Sequence, residues 1–246
     1  MIRNLIPYFL VTGLKKNNLK KVLRSFLPYG IVKIIQDRNR KKMFTEEYLR
    51  KNYVSDLTES ERYLLLSYLK LLEKNKSEVS YLEIGIYSGS TIRFLKERTE
   101  KTKFTGIDLF EDFQPGDDNT HIWRNYKMET VWNVLGKDRV TLFKNNSVDT
   151  LISLANADTK FDMIFIDGNH TYDATKSDFE NSYPLLRQNS YIAFHNCSPG
   201  FSQEDRYYIE RDGGPWLVTE EIKSDNKFKL EAEIDRMRIF KFSGTP

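Results

Sequence analysis

From residue 80 to the C-terminus, short apolar runs alternate with stretches in which apolar residues return every three or four positions. The runs at 81–86, 104–109, 140–143, 161–166 and 191–194 have the length of strands. The stretches at 91–98, 126–135, 148–154 and 172–186 have helical spacing. Strands and helices in strict alternation predict a parallel sheet with helices on both faces. The last two runs, 228–234 and 237–242, are separated only by Asp235 and Arg236. So short a connection demands antiparallel pairing. The expected architecture is α/β, a doubly wound and mostly parallel seven-stranded sheet with one antiparallel strand.

Two helical patterns precede the sheet. Thr58, with Glu61 three residues on, forms a capping box ahead of Tyr63, Leu64, Leu65, Tyr68, Leu69 and Leu72. Upstream, Leu19, Val22, Leu23, Phe26 and Leu27 recur at helical spacing until Pro28-Tyr29-Gly30 interrupts them, and Ile31, Val32, Ile34 and Ile35 resume the pattern. The division expected is a basic helical N-terminal extension, 1–77, followed by the α/β domain, 78–246.

Charge changes the picture of the extension. Residues 1–42 hold eleven Lys/Arg against one acid, Asp37, whereas the remainder of the chain is net acidic. An amphipathic basic helix suits an anionic membrane surface, and it equally suits packing on the main domain or on a second subunit. Nucleic acid is not expected as a partner, because no recognition module accompanies the basic residues. The 4–14 stretch has about half the ~20 apolar residues of a membrane span, so neither a transmembrane helix nor a signal peptide is favoured. Cys197 is the one cysteine, which excludes an intramolecular disulfide and fits a cytoplasmic protein.

The chemistry concentrates where strands end. Tyr81-Leu82-Glu83-Ile84-Gly85-Ile86-Tyr87-Ser88-Gly89 runs from a strand into a loop whose glycines lie four apart, and a helix follows. That spacing is not the G-x-G-x-x-G of dinucleotide binders, and Glu83 beside it would repel a diphosphate. The same acid could serve the cationic amino-acid end of a sulfonium compound. The second strand ends in Asp108, placed to accept hydrogen bonds from ribose hydroxyls. Each feature has a purely structural counterpart, since such a loop can merely turn and such an Asp can cap a helix.

On these residues the chain resembles the class I S-adenosylmethionine-dependent methyltransferases, over roughly 78–243. Their fold is Rossmann-like, their first motif is an acid followed by Gly-x-x-x-Gly, and their second is the acid after strand two. The resemblance implies that Glu83, Gly85, Ser88 and Gly89 line the methionine portion of S-adenosyl-L-methionine and that Asp108 holds the ribose. Asn146 and Ser147, after the third strand, match the segment that approaches adenine.

The fourth strand delivers Asp167-Gly168-Asn169-His170-Thr171-Tyr172 to the same edge, and the fifth delivers His195-Asn196-Cys197. These segments, with Pro184-Leu185-Leu186, resemble the branch that methylates hydroxyls of sugars and natural products, itself similar to catechol O-methyltransferase and cephalosporin hydroxylase-like proteins. In metal-dependent members of that wider group, the positions equivalent to Asp167, His195 and Asn196 hold a divalent ion. Asp and Asn oxygens suit Mg²⁺ whereas His suits a transition metal, and many relatives have an acid where Asn196 stands. Metal-assisted and metal-free readings both stay open, and in the latter Asp167 positions cofactor or substrate.

The expected base is His170, three residues past Asp167. A neutral imidazole, with an unperturbed pKa of about 6.5, can accept an acceptor proton in the transition state. Capping of the following helix is its structural alternative, and His195 is the competing base. The segment with His121 at 117–124 and the segment at 199–216 are long enough to cover an acceptor. The sequence thus leads to O-methylation of a small-molecule or glycan acceptor, with a role in polysaccharide or glycoside biosynthesis implied by resemblance alone. The alternatives are N-methylation, a cephalosporin hydroxylase-like activity, and a non-catalytic subunit recruited to a membrane by residues 1–42. Association into a homo-oligomer is left open.

Overall fold

A computed structural model describes residues 45–112, 126–198 and 213–244. The basic segment at 1–42, the loop with His121 and most of the 199–216 segment lie outside the described residues. From Leu49 onward the described residues form one compact unit. Among the described residues no helix is long and apolar enough to cross a membrane.

After a short helix, Glu46–Lys51, the helices and strands in chain order are α1 (Glu59–Asn75), β1 (Val79–Ile84), α2 (Ser90–Lys96), β2 (Thr102–Asp108), α3 (Met128–Leu135), β3 (Val140–Lys144), α4 (Ser147–Asn156), β4 (Phe161–Ile166), α5 (Tyr172–Ser182), β5 (Leu186–Phe194), α6 (Gly214–Ile222), β6 (Phe228–Ile234) and β7 (Met237–Phe242). The sheet order is β3-β2-β1-β4-β5-β7-β6. Strands β1 to β5 pair in parallel, and β7 runs antiparallel to both β5 and β6. This is the seven-stranded Rossmann-like sheet expected from the alternation, with its single antiparallel strand.

Where boundaries differ from the pattern, backbone chemistry explains the shift. The first strand stops at Ile84 because Gly85 turns the chain with φ of +85°. Ile86, which extends the apolar run, is buried in the turn instead. The helix expected over 172–186 ends at Ser182 and tightens into a 3₁₀ turn, Tyr183–Leu185. Pro184 lacks an N–H and its ring collides with the carbonyl one turn back, so the α-helix cannot continue. Strand β5 begins at Leu186, earlier than its apolar part, with a register shift against β4 and Asn189 at φ of +62°.

Side-chain alternation along paired strands decides what each face holds. One face carries Leu82, Ile84, Ile107, Ile164, Ile166, Ile192 and Phe194, the centre of the core, which extends to Leu151, Leu185, Val218 and Ile222. The other carries Tyr81, Phe104, Met163 and Tyr191 in register. Helix α1 reaches this second face, where Tyr68 meets Tyr191 edge to face at 4.7 Å. Its Leu65, Leu69 and Leu72 are buried, each worth about 2 kcal/mol of transfer free energy. The predicted capping box is present: Glu61 N–H donates to Thr58 Oγ1 (3.2 Å) and Thr58 N–H to Glu61 Oε2 (2.7 Å).

Candidate active site

Register brings the acids of the sequence together. Glu83 pairs with Gly106 on β2 and with Phe165 on β4, and Phe165 pairs with Ala193 on β5. Two positions beyond Gly106, Phe165 and Ala193 stand Asp108, Asp167 and His195, so all four side chains belong to one face at the C-terminal edge. The ladder continues past the formal strand ends. Gly85 N–H donates to Ile107 O, Asp167 N–H to Ile84 O and His195 N–H to Ile166 O, at 2.9–3.1 Å.

Glu83 is buried and accepts a hydrogen bond from Tyr81 Oη at 2.8 Å. Burial pushes its carboxyl well above the usual range; the Tyr81 bond opposes this, and the charges of Asp167 and Asp108 add to it. Asp108 anchors the glycine loop: Oδ2 accepts from the N–H groups of Ile86 and Tyr87 (both 2.8 Å), and Oδ1 from Phe110 N–H (2.7 Å). Carboxylate oxygens have lone pairs beyond these three bonds, so holding the loop and receiving ribose hydroxyls are compatible.

The glycines differ in what they are for. A Cβ on Gly85 would lie 2.2 Å from Asp167 O, so only hydrogen lets the β1 loop lie flush on the β4 loop. Gly89, at φ of +74°, caps α2 and faces Val131. Three further predicted cofactor residues, all polar and uncharged, also have side chains engaged by the protein. Ser88 Oγ bonds the Val54 carbonyl and Ser90 Oγ, which leaves its backbone for a cofactor. Asn146 Oδ1 caps α4 through Val148 N–H at 2.8 Å, and Ser147 Oγ donates to Asp178 Oδ1 at 2.6 Å. Burial, partly offset by that bond, lifts Asp178 to about 6.

At the acceptor end, His195 lies between two carboxylates. Its Nδ1 is 3.0 Å from Asp167 Oδ1 and its Nε2 is 3.3 Å from Glu61 Oε2. Burial disfavours the charged ring, but Asp167 and then Glu61 outweigh it and raise His195 to about 9. In return, and again against burial, the ring's charge and hydrogen bonds hold Asp167 and Glu61 at about 2, helped at Asp167 by His170 and at Glu61 by the backbone N–H groups of Thr58 and Arg236. His170 stands beside this chain, Nε2 3.6 Å from Asp167 Oδ1. Asn196 Oδ1 accepts from Arg236 (3.3 Å), so Nδ2 is the atom turned to His170 Nδ1, at 2.8 Å. Nδ1 is therefore the ring's acceptor in this arrangement, and an acceptor hydroxyl that gives it a proton must displace Asn196.

The metal-ligand set expected at Asp167, His195 and Asn196 is brought together but does not fit a cation. Both His195 nitrogens face carboxylates, and the Asn196 oxygen faces a guanidinium. Among the described residues no three His, Cys, Asp or Glu side chains form a ligand set. His195 as a base is likewise disfavoured, since its ring carries its protons toward Asp167 and Glu61.

Two residues escaped the sequence reading. Glu61 was legible only as a capping acid, although it lies fully buried against His195. Arg236 was legible only as half of a turn, yet β7 pairs with β5 so that the turn returns to this edge. There Arg236 N–H donates to Glu61 Oε1 (2.9 Å) and its carbonyl accepts from Cys197 N–H (2.7 Å).

The network predicts a stability maximum. Asp167 and Glu61, with folded values below their unfolded ones, contribute above about pH 4 and lose that contribution as pH falls toward 2. His195, raised in the fold, contributes fully below about pH 6.5 and loses its share as pH climbs to 9. The alkaline loss should be about 3 kcal/mol. Thermal melts across this range should show it in the parent chain and not in His195→Gln. An identical alkaline slope in the two proteins would refute the assignment.

Comparison with known proteins places this edge in context. Residues 82–197 match a family described as a methyltransferase domain. Uncharacterized protein R132 of Acanthamoeba polyphaga mimivirus is 29% identical over 122 residues, 48% of this chain and 52% of that protein, so the match spans about half of the relative. Among solved structures, the O-methyltransferase TomG of Streptomyces achromogenes, in complex with SAM and involved in tomaymycin synthesis, is 17% identical. That similarity covers 76% of this chain and 82% of TomG, with a TM-score of 0.57. An O-methyltransferase of Bacillus cereus in complex with SAH is 18% identical over 95% and 94% of the two chains, with a TM-score of 0.55. At such identities the structural likeness establishes the fold.

Proposed function

A methyltransferase domain spans residues 82–197, and on that premise we propose that the chain is an S-adenosylmethionine-dependent O-methyltransferase acting on a hydroxyl of a sugar, glycoside or polysaccharide precursor. The observation that carries the cofactor is the charge at the strand ends. Glu83, Asp108 and Asp167 share one face, and burial, reinforced by the charges of Asp167 and Asp108, raises the proton affinity of Glu83. A diphosphate would meet a row of three acids there, whereas a sulfonium with an α-ammonium group offsets their charge and favours the ionised form of Glu83.

When bound, the cofactor supplies a methyl group made electrophilic by the adjacent sulfur cation. Glu83 serves its amino-acid end, the backbone of the Gly85–Gly89 loop lines its methionine portion, Asp108 takes the ribose hydroxyls, and the backbone around Asn146 and Ser147 borders the adenine. Asp167, kept ionised, orients the acceptor, and His170 takes the hydroxyl proton at Nδ1. No step is assigned to a metal. Hydroxyl as the accepting group is supported by the O-methyltransferases that share the fold, and the sugar class by the Asp167–Tyr172 and His195-Asn196 segments.

Titration calorimetry tests the premise. S-adenosylmethionine and S-adenosylhomocysteine should bind while NAD⁺ and ATP do not, and failure of both adenosyl compounds would discard the reading. With labelled cofactor and a panel of hydroxylated acceptors, product mass separates methylation from oxygen insertion, and the carbon chemical shift of the transferred methyl separates O-methylation from N-methylation.

A further inference from the structure

The helix in front of the sheet supplies a buried acid that the proposed reaction does not use. A capping box asks only that the acid at its third position accept the cap residue's N–H, and such an acid normally sits at the surface. Glu61 does more. Its side chain is fully buried, Oε2 accepts from Thr58 N–H and faces His195 Nε2, and Oε1 accepts from Arg236 N–H. Helix α1, the β6–β7 turn and the end of β5 therefore meet on one carboxylate.

The contact constrains the ring. A carboxylate accepts hydrogen bonds and does not donate them, so with Glu61 at one nitrogen and Asp167 at the other, both must carry protons for the two contacts to hold. A ring flipped or tilted to serve one carboxylate would abandon the other, in a site where His195 has 1% exposure and water cannot take over. Asp167 inherits the constraint, because its Oδ1 faces Nδ1 of His195 and lies 3.6 Å from His170.

We infer that Glu61 is a positioning residue for the transfer reaction: it locks His195 as a two-proton donor against Asp167, so that Asp167 and the neighbouring His170 keep one orientation without a bound cation. The reaction in question is the O-methylation proposed above; the lock itself is independent of it.

Long-range proton–nitrogen correlation spectra of the histidine rings in the full chain, near about pH 7, test the lock without an acceptor. His195, assigned through a His195→Gln spectrum, should show both nitrogens protonated. Glu61→Gln keeps a residue able to complete the capping box, so it should fold, yet its ring signal should move to a singly protonated form. Thr58→Ala is the contrast: it removes the cap and lowers the melting temperature while the ring stays doubly protonated. Once an acceptor is in hand, Glu61→Gln should lower kcat by about tenfold or more with cofactor affinity within about threefold, and chelators should leave the parent rate unchanged. A singly protonated ring in the parent, an unchanged ring in Glu61→Gln, or a rate abolished by chelation would each overturn the inference. Absence of adenosyl binding by calorimetry would remove the reaction, while the spectra would still decide the lock.

Discussion

Gly85→Ala should cost about 3 kcal/mol or more of folding stability and disable the cofactor loop with it. Two effects add. The backbone at φ of +85° lies where an L-residue pays about 1–2 kcal/mol. The new methyl would also stand 2.2 Å from Asp167 O and 2.6 Å from both Asp167 C and Gly168 Cα, all main-chain atoms that no rotamer change can move aside. Relief requires the β4 loop to lift from β1, which breaks the Asp167 N–H to Ile84 O bond and swings Asp167 out of the row formed with Glu83 and His195. Gly136→Ala is the control, since Gly136 has φ of +71° but its nearest neighbour is the flexible Lys96 Nζ at 3.5 Å. Paired with ψ of 152°, that φ lies in a region nearly reserved for glycine, so the variant should lose the conformational part alone, about 1–3 kcal/mol, with the β1 and β4 loops undisturbed. Chemical denaturation of the two variants decides, and equal losses would show that the close approach of the loops contributes nothing.

His170→Ala should lower methyl transfer by about 10²–10⁴-fold while S-adenosylhomocysteine binds almost as before. The ring borders Asp167 and Asn196 at the acceptor end, apart from the Glu83–Asp108 end where the adenosyl group is expected. Its removal deletes the proton acceptor without touching the nucleoside contacts. Single-turnover rates measured with saturating cofactor isolate this step from binding. A rate within about threefold of the parent would assign the proton to another group.

Most of the sheet was legible because its signals are local. Runs such as 161–166 and 228–242 have strand length and turn punctuation, and the ends of β1, β2 and β4 deliver Glu83, Asp108 and Asp167 in sequence order. The edge as a whole was legible because parallel strands bring all their C-termini to one side. What was not legible depends on long-range pairing. Nothing in a capping box announces that its acid will face a histidine 134 positions away, and nothing in Asp235-Arg236 shows the turn reaching that same acid. The ligand-like set Asp167, His195 and Asn196 misled for the same reason. Residue type suggests a cation site, but whether a nitrogen is free to bind one depends on what the rest of the chain has already placed against it.

The β5–α6 connection is tethered at both ends to the candidate active-site edge. Cys197 is tied to the β6–β7 turn. Gly214, whose N–H donates to His170 O, has no room for a side chain against Thr171. These two anchors fix where the chain leaves β5 and where it enters α6, through main-chain contacts that do not depend on the side chains of the residues between them. Descendants of such a gene could exchange the residues between them while inheriting both anchors unaltered. Laboratory libraries aimed at altered specificity have the same natural boundaries.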